Sequence, residues 1–313
     1  QTKEAIAARL QTEAMGYANA TVTSLREHFR DQDILLASSA GVENWDTSSV
    51  TDMGVMFFRT SVSDLSRLSN WDTSQVTDMG NMFRDTSVSD LSPLSNWDTS
   101  QVTNMGVMFR DTSVSDLSPL GGWDTSSVTD MGGMFRGTSV SDLSPLSEWD
   151  TSSVTNMRRM FNSTSVSDLS PLSGWDTSNV TSMRNMFRDI SVSDLSPLSG
   201  WDTSSVTDML GMFFRTSVSD PSTISGWGVA SVTDFTSFLK GAPLDSAKTG
   251  DMLAGWIDGS PNTETDLQSG VTLGIPNADF AQMDTGGQDA VDALCSDPPN
   301  WTINATNAPA NCS

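Results

Sequence analysis

The chain has 313 residues and a formal net charge of −23, from 39 acidic against 16 basic residues. Such a surface repels nucleic acid and anionic membranes and argues against both as direct partners. It suits contact with cations, basic surfaces or a saline medium, and no apolar run approaches the roughly 20 residues that span a bilayer.

In chain order, Gln1 in place of Met reads as a mature N-terminus left by signal-peptide removal. Thr2 to Gly16 has good helix formers with Ile6 and Leu10 apolar, which predicts an amphipathic helix covering the first open coil. Val22 to Asp31 aligns with Val76 to Asp85 further on, so residues 1–41 end in a degenerate half-coil. His28, the only histidine, takes the place of a core Met and is read as structural.

From residue 42 to 240 a tryptophan returns every 26 residues, at Trp45, Trp71, Trp97, Trp123, Trp149, Trp175, Trp201 and Trp227. A fixed period in the twenties predicts a solenoid in which no coil buries its apolar side alone. In the coil opened by Trp71 the apolar positions are Val76, Met79, Met82, Phe83, Val88, Leu91 and Leu94. They follow neither a period of 2 nor one of 3.6, so short pieces are expected. Val76 to Phe83 has the spacing of a short helical or 3-10 turn, capped by Thr77 or Asp78. Val88 to Ser92 reads as a short strand stopped by Pro93. The Met pairs, from Met53 and Met56 to Met209 and Met212, are read as core, because Phe235 and Phe238 replace them in register.

The string W-D-T-S-x-V-T-x-M-x-x-M-F is similar to the BspA-like surface-protein repeats, a divergent leucine-rich-repeat group. The resemblance covers about residues 42–240 and implies a repeat solenoid, leucine-rich-repeat-like, that serves in surface recognition. Met252 to Trp256, Gln268 to Leu273 and Trp301 to Ile303 resemble the C-terminal region that often ends such chains.

Strict repetition turns polar residues into columns. Asp64, Asp90, Asp116, Asp142, Asp168, Asp194 and Asp220 are expected on an exposed face, about 4.8 Å apart at strand spacing. Neighbouring carboxylates at that distance repel by roughly 0.9 kcal/mol even in water. The column is read either as a solvated acidic face or as calcium bridging or docking of a cationic surface. The Asp46, Asp72, Asp98 series is read as Asx turns. The Thr51 series flanked by the Thr47 series resembles the hydroxyl rows of ice-binding solenoids, although turn capping also explains it. After each Met-Phe stands Phe58, Arg84, Arg110, Arg136, Asn162, Arg188 or Phe214. The arginines are candidates to bridge the acidic columns, and together with Phe58 and Phe214 they are candidate interface residues, the phenylalanines as subunit contacts.

Residues 241–313 are expected to form a mixed α/β C-terminal cap, with helices around Thr249–Ile257 and Gly287–Cys295 and a tail from Asn304 that looks disordered by composition. Cys295 and Cys312 predict a disulfide in an oxidising compartment; the chain has no CxxC for a metal. Sequons at Asn19, Asn162, Asn179, Asn300, Asn304 and Asn311 are candidate glycosylation sites.

No catalytic constellation is present: one histidine, no Gly-rich phosphate loop, and carboxylates copied in every coil. The expected function is therefore non-enzymatic and extracellular, in adhesion or as a building block of a surface layer or filament. No cofactor is required, calcium is the candidate ion, and the partner is a second copy or an extracellular glycan or protein. A monomeric calcium- or glycan-binding module is the alternative, and an ice-binding solenoid a remote one.

Overall fold

The computed structural model describes residues 22–32, 41–258, 267–296 and 299–312. The expected N-terminal helix and Asn19 lie outside them. The chain is a repeat solenoid and divides into two compact units, Gln1–Asp150 and Thr151–Ser313.

In the first unit, a 3-10 turn recurs at Val42–Asn44, Ser66–Leu68, Ser92–Leu94, Ser118–Leu120 and Ser144–Leu146. All eight apolar positions of the coil opened by Trp71 are buried, and so are Thr73 and Thr86. Phenylalanines stack face to face from coil to coil: Phe57 on Phe83 at 5.5 Å and 3°, Phe83 on Phe109 at 5.9 Å and 6°.

The two predicted pieces of the coil lie the other way round. The helical turn is Ser92–Leu94, with Pro93 inside its first turn, where a missing N–H costs nothing. The inter-coil ladder runs instead through the Met-x-x-Met-Phe limb. There Met79, Asn81, Phe83 and Asp85 donate their N–H groups to Asn104, Gly106, Met108 and Arg110 of the next coil, at 2.8–3.0 Å. The residues between turn back on their own coil, Met82 to Met79 at 3.2 Å and Arg84 to Asn81 at 3.3 Å. This alternation places Asn81 and Asp85 in the left-handed region, at φ 59° and 56°. The Val88 limb makes one such bond to the coil before it, Ser87 N–H to Val62 C=O at 3.1 Å, too few for a strand.

The half-coil joins the same ladder, with Leu25 and Phe29 donating to Asp52 and Met56 at 2.8 and 3.0 Å. His28 is half-buried, edge-on to Phe29 and Trp45 at 4.7 and 5.3 Å.

The second unit repeats the plan, with 3-10 turns at Ser170–Leu172, Ser196–Leu198 and Ser222–Ile224. Phe235 and Phe238 are fully buried in place of the Met pair. The cap follows: α1 (Ser246–Asp258), β1 (Thr272–Asp279), α2 (Thr285–Cys295) and β2 (Thr302–Thr306), the two strands parallel. β1 extends the coil ladder, since Leu239 donates to Gly274 at 3.2 Å and Gly274 to Phe235 at 3.3 Å. A side chain on Gly274 would meet the Ser237 backbone, so only glycine permits this approach. Trp256 of α1 donates its indole N–H to Ile224 at 3.0 Å, as Trp227 does to Leu198 at 2.9 Å in the last full coil.

The tail departs from its compositional expectation. β2 pairs with β1, Thr306 Oγ1 donates to Pro276 at 3.0 Å, and a disulfide joins Cys312 to Cys295 with Cα atoms 4.9 Å apart. These bonds order residues whose side chains alone would not.

Candidate functional site

The Asp64 column is outward-facing in both units, with Asp64, Asp90, Asp116, Asp142, Asp168 and Asp194 exposed and Asp220 partly so. Each carboxylate accepts the N–H of the serine two residues on, at 2.8 Å for Asp64 through Asp194 and 3.0 Å for Asp220. This bond starts the 3-10 turn, so the Asx geometry expected of the Asp46 series holds for this column too. The Asp46 series shows it as well: Asp72 accepts from Ser74 N–H at 3.0 Å and Oγ at 2.6 Å.

The serine hydroxyl and then the serine N–H hold the Asp72, Asp90, Asp98, Asp116 and Asp168 carboxyls below the usual carboxylate range. For Asp64 the N–H acts first. Repulsion from Asp116 and Asp64 pushes Asp90 upward but is outweighed. Among the described residues no three acidic, histidine or cysteine side chains converge to hold a metal ion.

The threonine rows divide. Thr51, Thr77, Thr103 and Thr129 are exposed, and each hydroxyl donates to the carbonyl one coil back at 3.1–3.2 Å. The Thr47 series is buried; Thr73 Oγ1 donates to Asp98 C=O at 2.9 Å. The paired hydroxyl rows expected of an ice-binding face are therefore not both at the surface.

Arg84, Arg110 and Arg188 pair beside their own turn rather than with the Asp64 or Asp46 columns. Arg110 and Arg188 pair with the residue that follows each, Asp111 at 2.8 Å and Asp189 at 3.1 Å, and Arg84 lies 3.5 Å from Asp85. Burial, then repulsion from Arg110, lowers the Arg84 guanidinium from its ordinary value. Arg136 precedes Gly137 and has no acid in that position.

Phe58 and Phe214 are not free apolar patches. Phe58 is 7% exposed and lies under Arg30, Arg59 and Arg84, at 5.6, 4.8 and 4.8 Å from the ring centre. Phe214 is half-buried under Arg188 and Arg215, at 4.2 and 5.0 Å. Guanidinium groups over the ring faces cover Phe58 almost completely and Phe214 in part. Arg59 and Arg215 were not singled out in the sequence, although the shared F-F-R string marks both.

Among the sequons, Asn162 is 5% exposed and donates Nδ2 to Arg188 C=O at 2.9 Å. Asn179 is exposed with Nδ2 donating to Ser152 C=O at 2.8 Å, while Asn300, Asn304 and Asn311 are exposed.

The repeated coil matches a family profile described as Mycoplasma protein of unknown function, DUF285, over residues 23–143, 113–196 and 140–249. The chain belongs to the DUF285 family. No curated protein matches it. The functional domain of InlJ from Listeria monocytogenes, which includes a cysteine ladder, is a similar solved structure at 13% identity and a TM-score of 0.23, covering 82% of this chain and 75% of that one. In this DUF285 chain no described helix is long and apolar enough to cross a membrane.

Proposed function

We propose that this DUF285 chain is a non-enzymatic extracellular repeat protein, acting in adhesion or as a building block of a surface layer or filament. The observation that carries this reading is the repetition of one outward carboxylate, fixed by its own serine, at the same place in successive coils of each unit. Identical weak contacts gain strength by acting together, whereas a single-ligand site calls for dissimilar residues in one place. The Cys295–Cys312 disulfide supports an oxidising compartment, and the resemblance to BspA-like surface repeats supports a surface location.

The non-enzymatic reading draws on the commitment of the repeated polar groups. The Asp64 and Thr51 series bond backbone, as does the Thr47 series from Thr73 onward, and His28 packs edge-on against Phe29 and Trp45. Calcium enters as an ion shared between acidic faces of two copies, since no described group within one chain gathers three ligands.

Light scattering of the purified protein, in calcium and then in chelator, tests this. A mass well above 33.6 kDa supports a building block, and its loss on chelation assigns the contact to the Asp columns. A monomer that fails to bind cell surfaces or extracellular polymers would overturn the proposal.

A further inference from the structure

The two F-F-R-T-S-V-S-D coils begin at Phe57 and Phe213, one in each unit, and have different neighbours. Around Phe58 the charges balance. Arg30 pairs with Glu27 at 3.1 Å and Asp31 at 3.2 Å, while Arg59 and Arg84 share Asp85 at 3.6 and 3.5 Å. Three carboxylates thus face three guanidinium groups.

Around Phe214 they do not. The place of Glu27 is taken by Asn185, that of Asp85 by Gly241 and that of Arg84 by Lys240. All four of Glu27, Asn185, Asp85 and Gly241 occupy the same left-handed turn positions of the ladder, so the exchange removes acid without changing the backbone. Asp189 alone remains, 3.1 Å from Arg188 and 3.9 Å from Arg215. Lys240 is exposed and makes no ion pair among the described residues. Its carbonyl accepts the Arg215 N–H at 2.9 Å, which puts it in the coil next to Arg215.

The arginine also has room to lie across the ladder. Gly241, at φ +88°, has its absent Cβ position 3.0 Å from Arg215 Cγ, so the side chain runs across a residue that offers no obstruction. Its guanidinium stands over the half-buried Phe214 ring yet is 68% exposed.

We infer that Arg188 and Arg215 over Phe214, with the exposed Lys240 of the adjoining coil, form a binding site for an oxyanion, a sulfate or carboxylate group carried on a sugar. Guanidinium forks match the oxygens of such groups, and the partly open phenyl ring offers an apolar edge to the ring that bears them. The inference rests on the surface-contact reading only in naming a glycan as the source of the anion.

Titration calorimetry of the full chain with a singly sulfated disaccharide, and separately with inorganic sulfate, tests it. Saturable binding is expected, weakened about tenfold by Arg215→Ala or by Lys240→Ala and unchanged by Arg59→Ala, the counterpart at the balanced cluster. Gly241→Asp, which restores the acid found at Asp85, is expected to abolish it. Tighter binding of the disaccharide identifies a sugar-borne anion, and equal binding of both probes a free one. No saturable binding of either probe, or equal losses from Arg59→Ala and Arg215→Ala, would overturn the site. A chain that assembles but binds no anion refutes this inference alone; one that binds the disaccharide yet neither assembles nor adheres refutes only the broader proposal.

Discussion

The indole N–H of Trp97 donates to the carbonyl of Leu68 at 3.1 Å, and the same carbonyl accepts the backbone N–H of Trp71 at 3.1 Å. One oxygen therefore closes its own 3-10 turn and anchors the tryptophan 29 residues on. Trp97→Phe keeps most of the packing but removes the anchor, and is expected to cost about 1–2 kcal/mol. Urea unfolding of the two proteins measures it; an unchanged midpoint would mean that the bond contributes nothing.

The aspartate columns set the acid stability. Folded carboxyls of Asp46, Asp64, Asp72, Asp90, Asp98, Asp116 and Asp168 lie below the ordinary value. Each bond is then fully stabilising above the unfolded value of about 3.9, and is lost as pH falls through the folded one. The melting temperature is expected to hold from neutral pH down to about 4 and then to drop steeply. Calorimetric scans between pH 7 and pH 2 follow it, and a gradual decline beginning near pH 6 would point to other groups.

Phe58 now predicts a stability defect rather than an assembly defect. Phe58→Ala is expected to cost about 3 kcal/mol through lost burial and lost contact with the three guanidinium groups. Its mass by light scattering is expected to match that of the parent protein. A change in mass without loss of stability would restore the subunit-contact reading.

Reduction of the tail is the next test. The 17-residue separation of Cys295 and Cys312 implies about 3 kcal/mol for the closed loop. The Cys295→Ser, Cys312→Ser double variant is expected to expose β2 to hydrogen exchange while the coil amides stay protected. Equal loss of protection throughout the second unit would show instead that the cap holds the coils.

Glycan mapping separates the sequons. Expressed in a glycosylating host, the chain is expected to carry glycan at some of Asn300, Asn304 and Asn311 and none at Asn162, whose Nδ2 is engaged inside the fold. Peptide mass spectrometry after enzymatic deglycosylation reads each site directly.

The apolar core was legible because burial follows residue type: every Trp, Met and Phe singled out in the Trp71 coil lies inside. So was the Asx turn of the Asp46 series, which depends on adjacent residues only. The placement of ladder and helical turn was not, since it turns on which N–H groups reach the neighbouring coil, and spacing within one coil cannot show that. Thr73 escaped for the same reason, its hydroxyl being satisfied by the carbonyl of Asp98 in the next coil, while that of Thr86 is satisfied by Phe83 three residues back. The Phe58 ring was misplaced at the surface because its cover comes from Arg30 and Arg84, residues on the neighbouring coils.

The ladder also bears on how such a chain can change over generations. In the first unit, Met79, Asn81 and Phe83 bond forward just as Met53, Val55 and Phe57 do, with the same partners shifted by one coil. Excising a segment of one period from that unit would bring each donor to an equivalent acceptor. A chain that gained or lost one such period would therefore keep each junction of the ladder closed.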